Sequence, residues 1–391
     1  MDVTHIIFFI SILLLVYGGL HYYLYRKLSL VVPTHKKAII ATLTIFAGSV
    51  FIVEALIHNG ITPFITPLLT TTAWISFFWM GLVVLFFGIS LPIDILSSLA
   101  RRIIAFNITR DFSQLIEQKI EKPLSSPART VVVTACVLVL AVNGVFNAQQ
   151  INVKRVTIES EKISRPLRIV QITDLHVGDL TSEKHIQKIV ETINSLNADI
   201  IVSTGDLIDM STDHSEAYLS KLEALHARLG KFAVFGNHET IAGLKKSRRL
   251  TELAGFTVLS NSGVTLDGEI NLFGVDDPSV AGRLQPGARH PDEPLPTFSN
   301  TLFTVLLKHQ PVVESNTVST FDLQLSGHVH GGQIYPFGLF TRMVYPVPMG
   351  LSRITDKTWL YVSYGTGTWG PPMRVFAPPE ITLFELMHTK K

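Results

Sequence analysis

LRIVQITDLH (residues 167–176) is an apolar run of strand length that stops abruptly at Asp174, Leu175 and His176. The segments downstream repeat the form. SEKHIQKIVETINSLN (182–197) carries Ile186, Ile189, Val190, Ile193 and Leu196 at helical spacing. DIIVSTGD (199–206) is again a buried strand, closed by Gly205 and Asp206. SEAYLSKLEALHARLG (215–230) predicts a second helix with Gly230 as its C-cap, KFAVFGN (231–237) a third strand, and 243–254 a third helix. Strands alternating with helices need crossovers, so the sheet is expected to be largely parallel and covered by helices. Further strands are expected at 264–267, 270–275, 302–308, 321–326, 359–364 and 380–387, with fewer helices between them. They suggest a second sheet packed on the first.

The polar residues gather at the C-terminal ends of these strands, where open α/β sheets hold their ligands. Strand one ends Asp174-Leu175-His176, whose first and third side chains project to one face. Strand two ends at Asp206 and strand three at Gly236-Asn237-His238-Glu239. LFTVLLK ends at His309, and FDLQLS at Gly327-His328-Val329-His330. A single strand-end histidine is more often structural than a ligand. Here five of the ten histidines after residue 150 fall at such positions. Two aspartates, four histidines and an asparagine gathered at one edge would be costly to bury without a cation. Imidazole, carboxylate and amide oxygen suit divalent Zn, Fe, Mn or Co. Gly205, Gly236 and Gly327 each precede one of these residues, where a missing Cβ permits close approach or positive φ.

Upstream, the chain is written for a different solvent. Residues 1–150 hold 10 Lys/Arg and 6 Asp/Glu, whereas the rest of the 391 residues hold 23 and 25. Mean hydropathy is +0.34 with 16% charged residues, which excludes disorder, collagen and coiled coil. A lone Cys136 excludes a disulfide scaffold and a CxxC zinc site. Four segments reach the roughly 20 apolar residues of a spanning helix: about 4–25, 38–58, 71–93 and 130–149. The first is too long and lacks the charged leader of a signal peptide. Arg26, Lys27, Lys36 and Lys37 mark loop 26–37 as inside, and Arg101, Arg102, Arg110, Lys119, Lys122 and Arg129 mark loop 94–129 likewise. With four spans, the N-terminus and everything beyond residue 150 then lie outside, on an integral plasma- or inner-membrane protein. Glu54 sits near the outer end of the second span and reads as solvated. The 97–129 loop fits an interfacial amphipathic helix.

Taken in order, DxH, GD, GNHE, a lone histidine and GHxHGGQ resemble the calcineurin-like metallophosphoesterase superfamily over roughly residues 165–388. GHVHGGQ (327–333) and the closing YGTGTWGPPMRVFAPPEITLFEL are similar to its bacterial YkuE/YaeI-like branch, which contains membrane-associated phosphohydrolases. The resemblance implies an α/β fold: a four-layer αββα sandwich over 165–391, after a transmembrane region at 1–150 and a linker at 151–164. It implies two divalent ions (Mn, Fe, Zn or Co). Asp174, His176 and His330 would hold one, Asn237, His309 and His328 the other, with Asp206 bridging both. His238 would be the non-ligand catalytic histidine near the leaving group, oriented by Asp174, and Asn237 would also contact phosphate. The implied chemistry is attack by metal-bound hydroxide on a phosphoester or pyrophosphate, with two metals clamping the attacking and leaving oxygens.

Two segments bear on the substrate. Residues 278–300 hold five prolines with Arg283 and Arg289, and read as a stiff, solvated loop. IYPFGLFTRMVYPVPMGL (334–351) is unusually apolar for a loop; it reads equally as an acyl-chain or membrane contact and as a segment buried under its own fold. A lipid-linked phosphoester is therefore one expectation and a soluble one its alternative. Nucleic acid is not expected, since the second half is net −2 without a basic stripe. A non-catalytic scaffold or receptor would be expected to lose a ligand, and none is lost; a transporter would need more than Glu54 inside its spans.

Overall fold

A computed structural model describes residues 3–58, 66–107, 126–178, 180–209, 213–281 and 301–389. It divides into two compact units: residues 1–144 with 334–336, and residues 145–333 with 337–391.

The first unit is helical: α1 (Val3–Val31), α2 (Lys36–His58), α3 (Thr66–Asn107) and most of α4 (Ser126–Ala148). Among the described residues, three stretches are long and apolar enough to cross a membrane: Pro33–Leu56, Pro67–Ala100 and Ser126–Ala148. They overlap the second, third and fourth expected spans, stopping one or two residues short of the ends expected at 58 and 149, while α1 covers the first as continuous helix. Helix α3 outruns the expected 71–93, continuing through Pro92, so Asp94 lies in helix and not in a loop. There it accepts from Tyr23 at 2.7 Å and Lys27 at 2.6 Å. Trp79 donates to His21 Nε2 at 3.0 Å. These polar side chains in an apolar bundle bond to one another, which suits a medium without water. Most of the 97–129 segment expected to be amphipathic lies outside the described residues.

The second unit is a pair of six-stranded sheets. Its elements run β1 (Asn152–Ser160), β2 (Leu167–Ile172), α5 (Glu183–Ser195), β3 (Ile200–Thr204), α6 (Asp213–Ser220), β4 (Lys231–Val234), α7 (Asn237–Ala242), α8 (Leu244–Leu253), β5 (Thr257–Val258), β6 (Ser262–Leu266), β7 (Ile270–Val275), α9 (Pro278–Ala281), β8 (Phe303–Lys308), β9 (Leu323–Ser326), α10 (Phe337–Val344), β10 (Gly350–Arg353), β11 (Trp359–Val362) and β12 (Glu380–His388). One sheet has order β1-β12-β2-β3-β4-β5 and the other β10-β11-β9-β8-β7-β6. The β2-β3-β4-β5 and β7-β8-β9-β11 runs are parallel, with antiparallel partners at β12, β6 and β10. Ile169, Ile200, Val202 and Phe232 from the first sheet pack with Leu272, Val305, Leu323 and Tyr361 from the second. The outer face of the first sheet is covered by Ile186, Ile189, Val190 and Ile193 of α5 and Leu250 of α8. Ser182 caps α5 by accepting from the His185 amide at 3.2 Å.

Three expectations are corrected. Residues 151–164 are not simply a linker: Asn152–Ser160 is an edge strand paired in parallel with β12, burying Val156 and Ile158 by period-two alternation. The helix expected at 215–230 spans only Asp213–Ser220, with a 3₁₀ turn at Lys221–Ala224, so Gly230 (φ 111°) turns the chain into β4 and caps no helix. Where the four-layer αββα sandwich implies helices on the outer face of the second sheet, Val313, Tyr345, Val347 and Met349 from irregular segments pack there among the described residues, and α10 buries no residue. Residues 282–300 lie outside the described set.

Candidate metal centre

The seven expected ligands come from five strand ends, three in the first sheet and two in the second, and they meet where the sheets' C-terminal edges face each other. Asp174 and His176 follow β2, Asp206 follows β3, Asn237 opens α7 after β4, His309 follows β8, and His328 and His330 follow β9. His330 Nε2 lies 3.2 Å from Asp174 Oδ1 and 3.1 Å from His176 Nε2. His309 Nε2 lies 3.1 Å from Asp206 Oδ2, and 3.2 Å from both Asn237 Oδ1 and His328 Nδ1. Asp174–His176–His330 and Asp206–His309–His328 each place one ligand atom per residue within 4.8 Å of the others. A third such group, His176–Asp206–His238, joins the two.

The backbone is bent to make this possible. Asp174, His176, Asp206, His328 and His330 all have φ between 49° and 72°. A left-handed non-glycine residue costs on the order of 1 kcal/mol, and such strain clusters at functional sites. The carboxylates hold the turns in place. Asp174 accepts from the His328 amide at 2.9 Å, and Asp206 from the His238 amide at 2.9 Å. Gly236 and Gly327 have ordinary φ and are required by close approach: a Cβ would strike the Asp206 carboxylate at the first and the Asp174 carboxylate at the second.

The charges fit a cation. Burial works against the ionised forms of Asp174 and Asp206, but the imidazoles of His330 and His309 outweigh it and hold both carboxyls well below their usual range. Burial lowers His309, yet the Asp206 carboxylate more than compensates and raises it to about 10. Burial holds His176 at about 3 and His328 at about 4. His176 Nδ1 is buried without a hydrogen-bond partner among the described residues. Ring nitrogens facing one another 3.1–3.2 Å apart, beside two carboxylates, match the edges of a coordination shell with bonds of about 2.0–2.2 Å. The donor set therefore fits divalent ions.

His238 is not oriented by Asp174. Its Nδ1 donates to Asp209 Oδ1 at 2.8 Å, and its ring lies edge-on to His176, centroids 4.6 Å apart. Burial lowers its basicity, but the Asp209 bond and the carboxylates of Asp206 and Glu239 raise it above the ordinary value. Asp209 stands three residues after Asp206 in GDLID, a spacing the sequence displays but does not interpret. Glu239 accepts from the amides of Gly236 (2.7 Å), Asp206 (3.0 Å) and Ile208 (3.1 Å), tying two strand-end loops together. The capping-box position of that glutamate is its one signal in the sequence. Burial and the nearby Asp206 raise Glu239 to about 7. Arg374 lies in the closing stretch that resembles the YkuE/YaeI-like branch, but its spacing assigns it no role. It is fully buried and donates to the carbonyls of Tyr364 (2.7 Å), Gly367 (2.9 Å) and His330 (3.1 Å), fixing the loop that carries His330.

Comparison with known proteins gives the family. Residues 167–332 match the family described as calcineurin-like phosphoesterase. An uncharacterized metallophosphoesterase of Helicobacter pylori is 37% identical over 240 residues, 60% of this chain; the chain spans 64% of that relative's length. The uncharacterized metallophosphoesterase YkuE of Bacillus subtilis is 34% identical over 241 residues, covering 57% of this chain and 79% of YkuE. A zebrafish (Danio rerio) transmembrane protein with metallophosphoesterase domain is 32% identical over 269 residues, 65% of this chain and 62% of the relative.

Proposed function

Because this chain belongs to the calcineurin-like metallophosphoesterase family, we propose that it is a membrane-anchored dimetal phosphohydrolase that cleaves a phosphoester or pyrophosphate bond in a lipid-linked substrate. The reading is carried by one observation: all seven expected ligands converge on two adjoining donor groups with no position substituted. Asp174, His176 and His330 would hold one ion, Asn237, His309 and His328 the other, and Asp206 would serve both. When bound, the two ions supply Lewis acidity toward water and phosphoryl oxygen.

The chain's own groups do the rest. Asp209 fixes the proton on His238 Nδ1, leaving Nε2 to face the leaving group and pass it a proton. Asn237, at the start of α7, offers its amide N–H to a phosphoryl oxygen while its Oδ1 turns toward His309 Nε2. Glu239 and Arg374 hold the loops that position these groups. Trp369, edge-on to His238 at 5.6 Å and more than half exposed, gives the mouth an apolar wall on which a lipid chain can rest.

In this proposal α1 is a fourth span, and the basic loops hold the catalytic unit on the extracytoplasmic side. Protection of the second unit from added protease in right-side-out vesicles would invert that topology. Full-length protein in detergent should hydrolyse bis-p-nitrophenyl phosphate or p-nitrophenyl phosphate with Mn²⁺ and lose the activity in EDTA. Absence of chelator-sensitive hydrolysis across generic phosphoesters would leave a scaffold. Cleavage of lipid-linked over soluble phosphoesters would decide the substrate class.

A further inference from the structure

Helix α10 is out of place on a water-facing surface. None of its eight residues is buried. Met343 is 80% and Val344 70% exposed, and Phe337, Leu339 and Phe340 are also exposed. Residues 334–351 contain no acidic residue and one charge, Arg342, in the last turn. The loop bearing exposed Trp369 and Phe376 is stitched to Gln333, just ahead of this helix: Trp369 N donates to Gln333 Oε1 at 2.9 Å and Val375 N to Gln333 O at 2.9 Å. A short apolar helix with aromatics, one arginine and no carboxylate is complementary to lipid with its phosphate layer. The same chain carries α4, a candidate span that ends only three residues before β1. We propose that α10 is an interfacial helix that rests in the headgroup layer of the membrane anchoring the chain. The proposal rests on α4 being a span, so its test carries a separate control. Full-length protein with Cys136→Ser is spin-labelled at Met343→Cys, or at Val139→Cys on the exposed face of α4, in nanodiscs of phosphatidylcholine and phosphatidylglycerol. The expected result is greater relaxation by oxygen than by a water-soluble nickel chelate at both sites. Lipid character at 139 with nickel access at 343, or with neither reagent reaching 343, overturns the docking of α10. Nickel access at 139 overturns the anchor instead.

A different observation carries a second inference. His328 Nδ1 faces the metal locus, and its Nε2 lies 3.0 Å from Tyr345 Oη. Tyr345 donates to Gln310 Oε1 at 3.0 Å, and Gln310 Nε2 to the buried Asp277 Oδ2 at 2.8 Å. The Tyr345 hydroxyl and the Gln310 amide both donate away from the metal locus and toward a carboxylate, which leaves the Tyr345 oxygen to accept from His328 Nε2. We infer that Tyr345 is a positioning residue that fixes the Nε2–H tautomer of His328, leaving Nδ1 as the metal-binding atom. Loss of such an outer hydrogen bond weakens a metal site about 10–100-fold. Tyr345→Phe in the full-length protein, titrated with Mn²⁺ against a competing chelator, should weaken one of two bound ions by that factor and leave the other unchanged. Gln310→Leu should do the same to a smaller extent. Wild-type affinity for both ions in Tyr345→Phe overturns the inference, and so does an equal loss at both sites, which is the mark of general unfolding.

Discussion

Replacing Asp209 by Asn tests how His238 works. The 2.8 Å bond from His238 Nδ1 to Asp209 is charge-assisted and mostly shielded, Asp209 being 31% exposed. Such bonds are worth about 1.5–3 kcal/mol. If the whole bond is used when His238 gives up its proton, turnover falls about 10- to 150-fold, since each 1.36 kcal/mol is tenfold. The substituted amide keeps an oxygen that can accept from Nδ1, so the ring keeps its place and the loss is of charge. Neither Asp209 nor His238 is among the seven proposed ligands, so metal content measured on the purified variant should stay at wild type. The assay is kcat and KM on bis-p-nitrophenyl phosphate at saturating Mn²⁺, for Asp209→Asn, His238→Asn and the double variant. His238→Asn should retain metal and lose at least tenfold in turnover, and the double variant should be no slower than His238→Asn if the catalytic role of Asp209 runs through that ring, to which it is hydrogen-bonded, rather than through His176 Nδ1 at 3.9 Å. Additive losses in the double variant, or turnover that falls in step with metal content, would refute the assignment.

Metal binding should expel a proton at neutral pH, because His309 is held protonated by Asp206 and a cation must replace that proton. Calorimetry in buffers of different ionisation enthalpy should therefore show proton release, and affinity should fall as pH falls; binding enthalpy independent of buffer would contradict it. Asp206→Asn should cost both ions, as it joins the two donor groups, and elemental analysis showing one ion retained at full occupancy would limit Asp206 to a single site. Gly327→Ala should destabilise the fold by roughly 1–3 kcal/mol through overpacking against Asp174 and Thr173, read as a lower denaturation midpoint, and an unchanged midpoint would mean the strand end relaxes freely.

Much of the site is legible along the chain itself. An apolar run of five or six residues names a buried strand, and the residue at which it breaks is the one delivered to the sheet edge. Asp174, Asp206, Asn237, His309, His328 and His330 can therefore be read directly from the ends of β2, β3, β4, β8 and β9. The less legible parts are those whose partner is remote in sequence. Val156 and Ile158 alternate too briefly to stand out until β12 pairs with them. Asp174 and His238 flank the same edge, which makes them look like neighbours; the left-handed turn at Asp206 brings Asp209 to the imidazole instead. Arg374 is ordinary in sequence and becomes the tie of the His330 loop only when the C-terminal segment folds over it.

Local patterning thus determined the kinds of element, the division between lipid-suited and water-suited halves, and the donor set, because each depends on the periodicity or chemistry of neighbours along the chain. Docking of the two sheets decided which metal-facing atoms meet, and the turn at Asp206 decided which carboxylate serves His238. Those outcomes depend on distances between strand ends far apart in sequence, and no spacing along the chain encodes them.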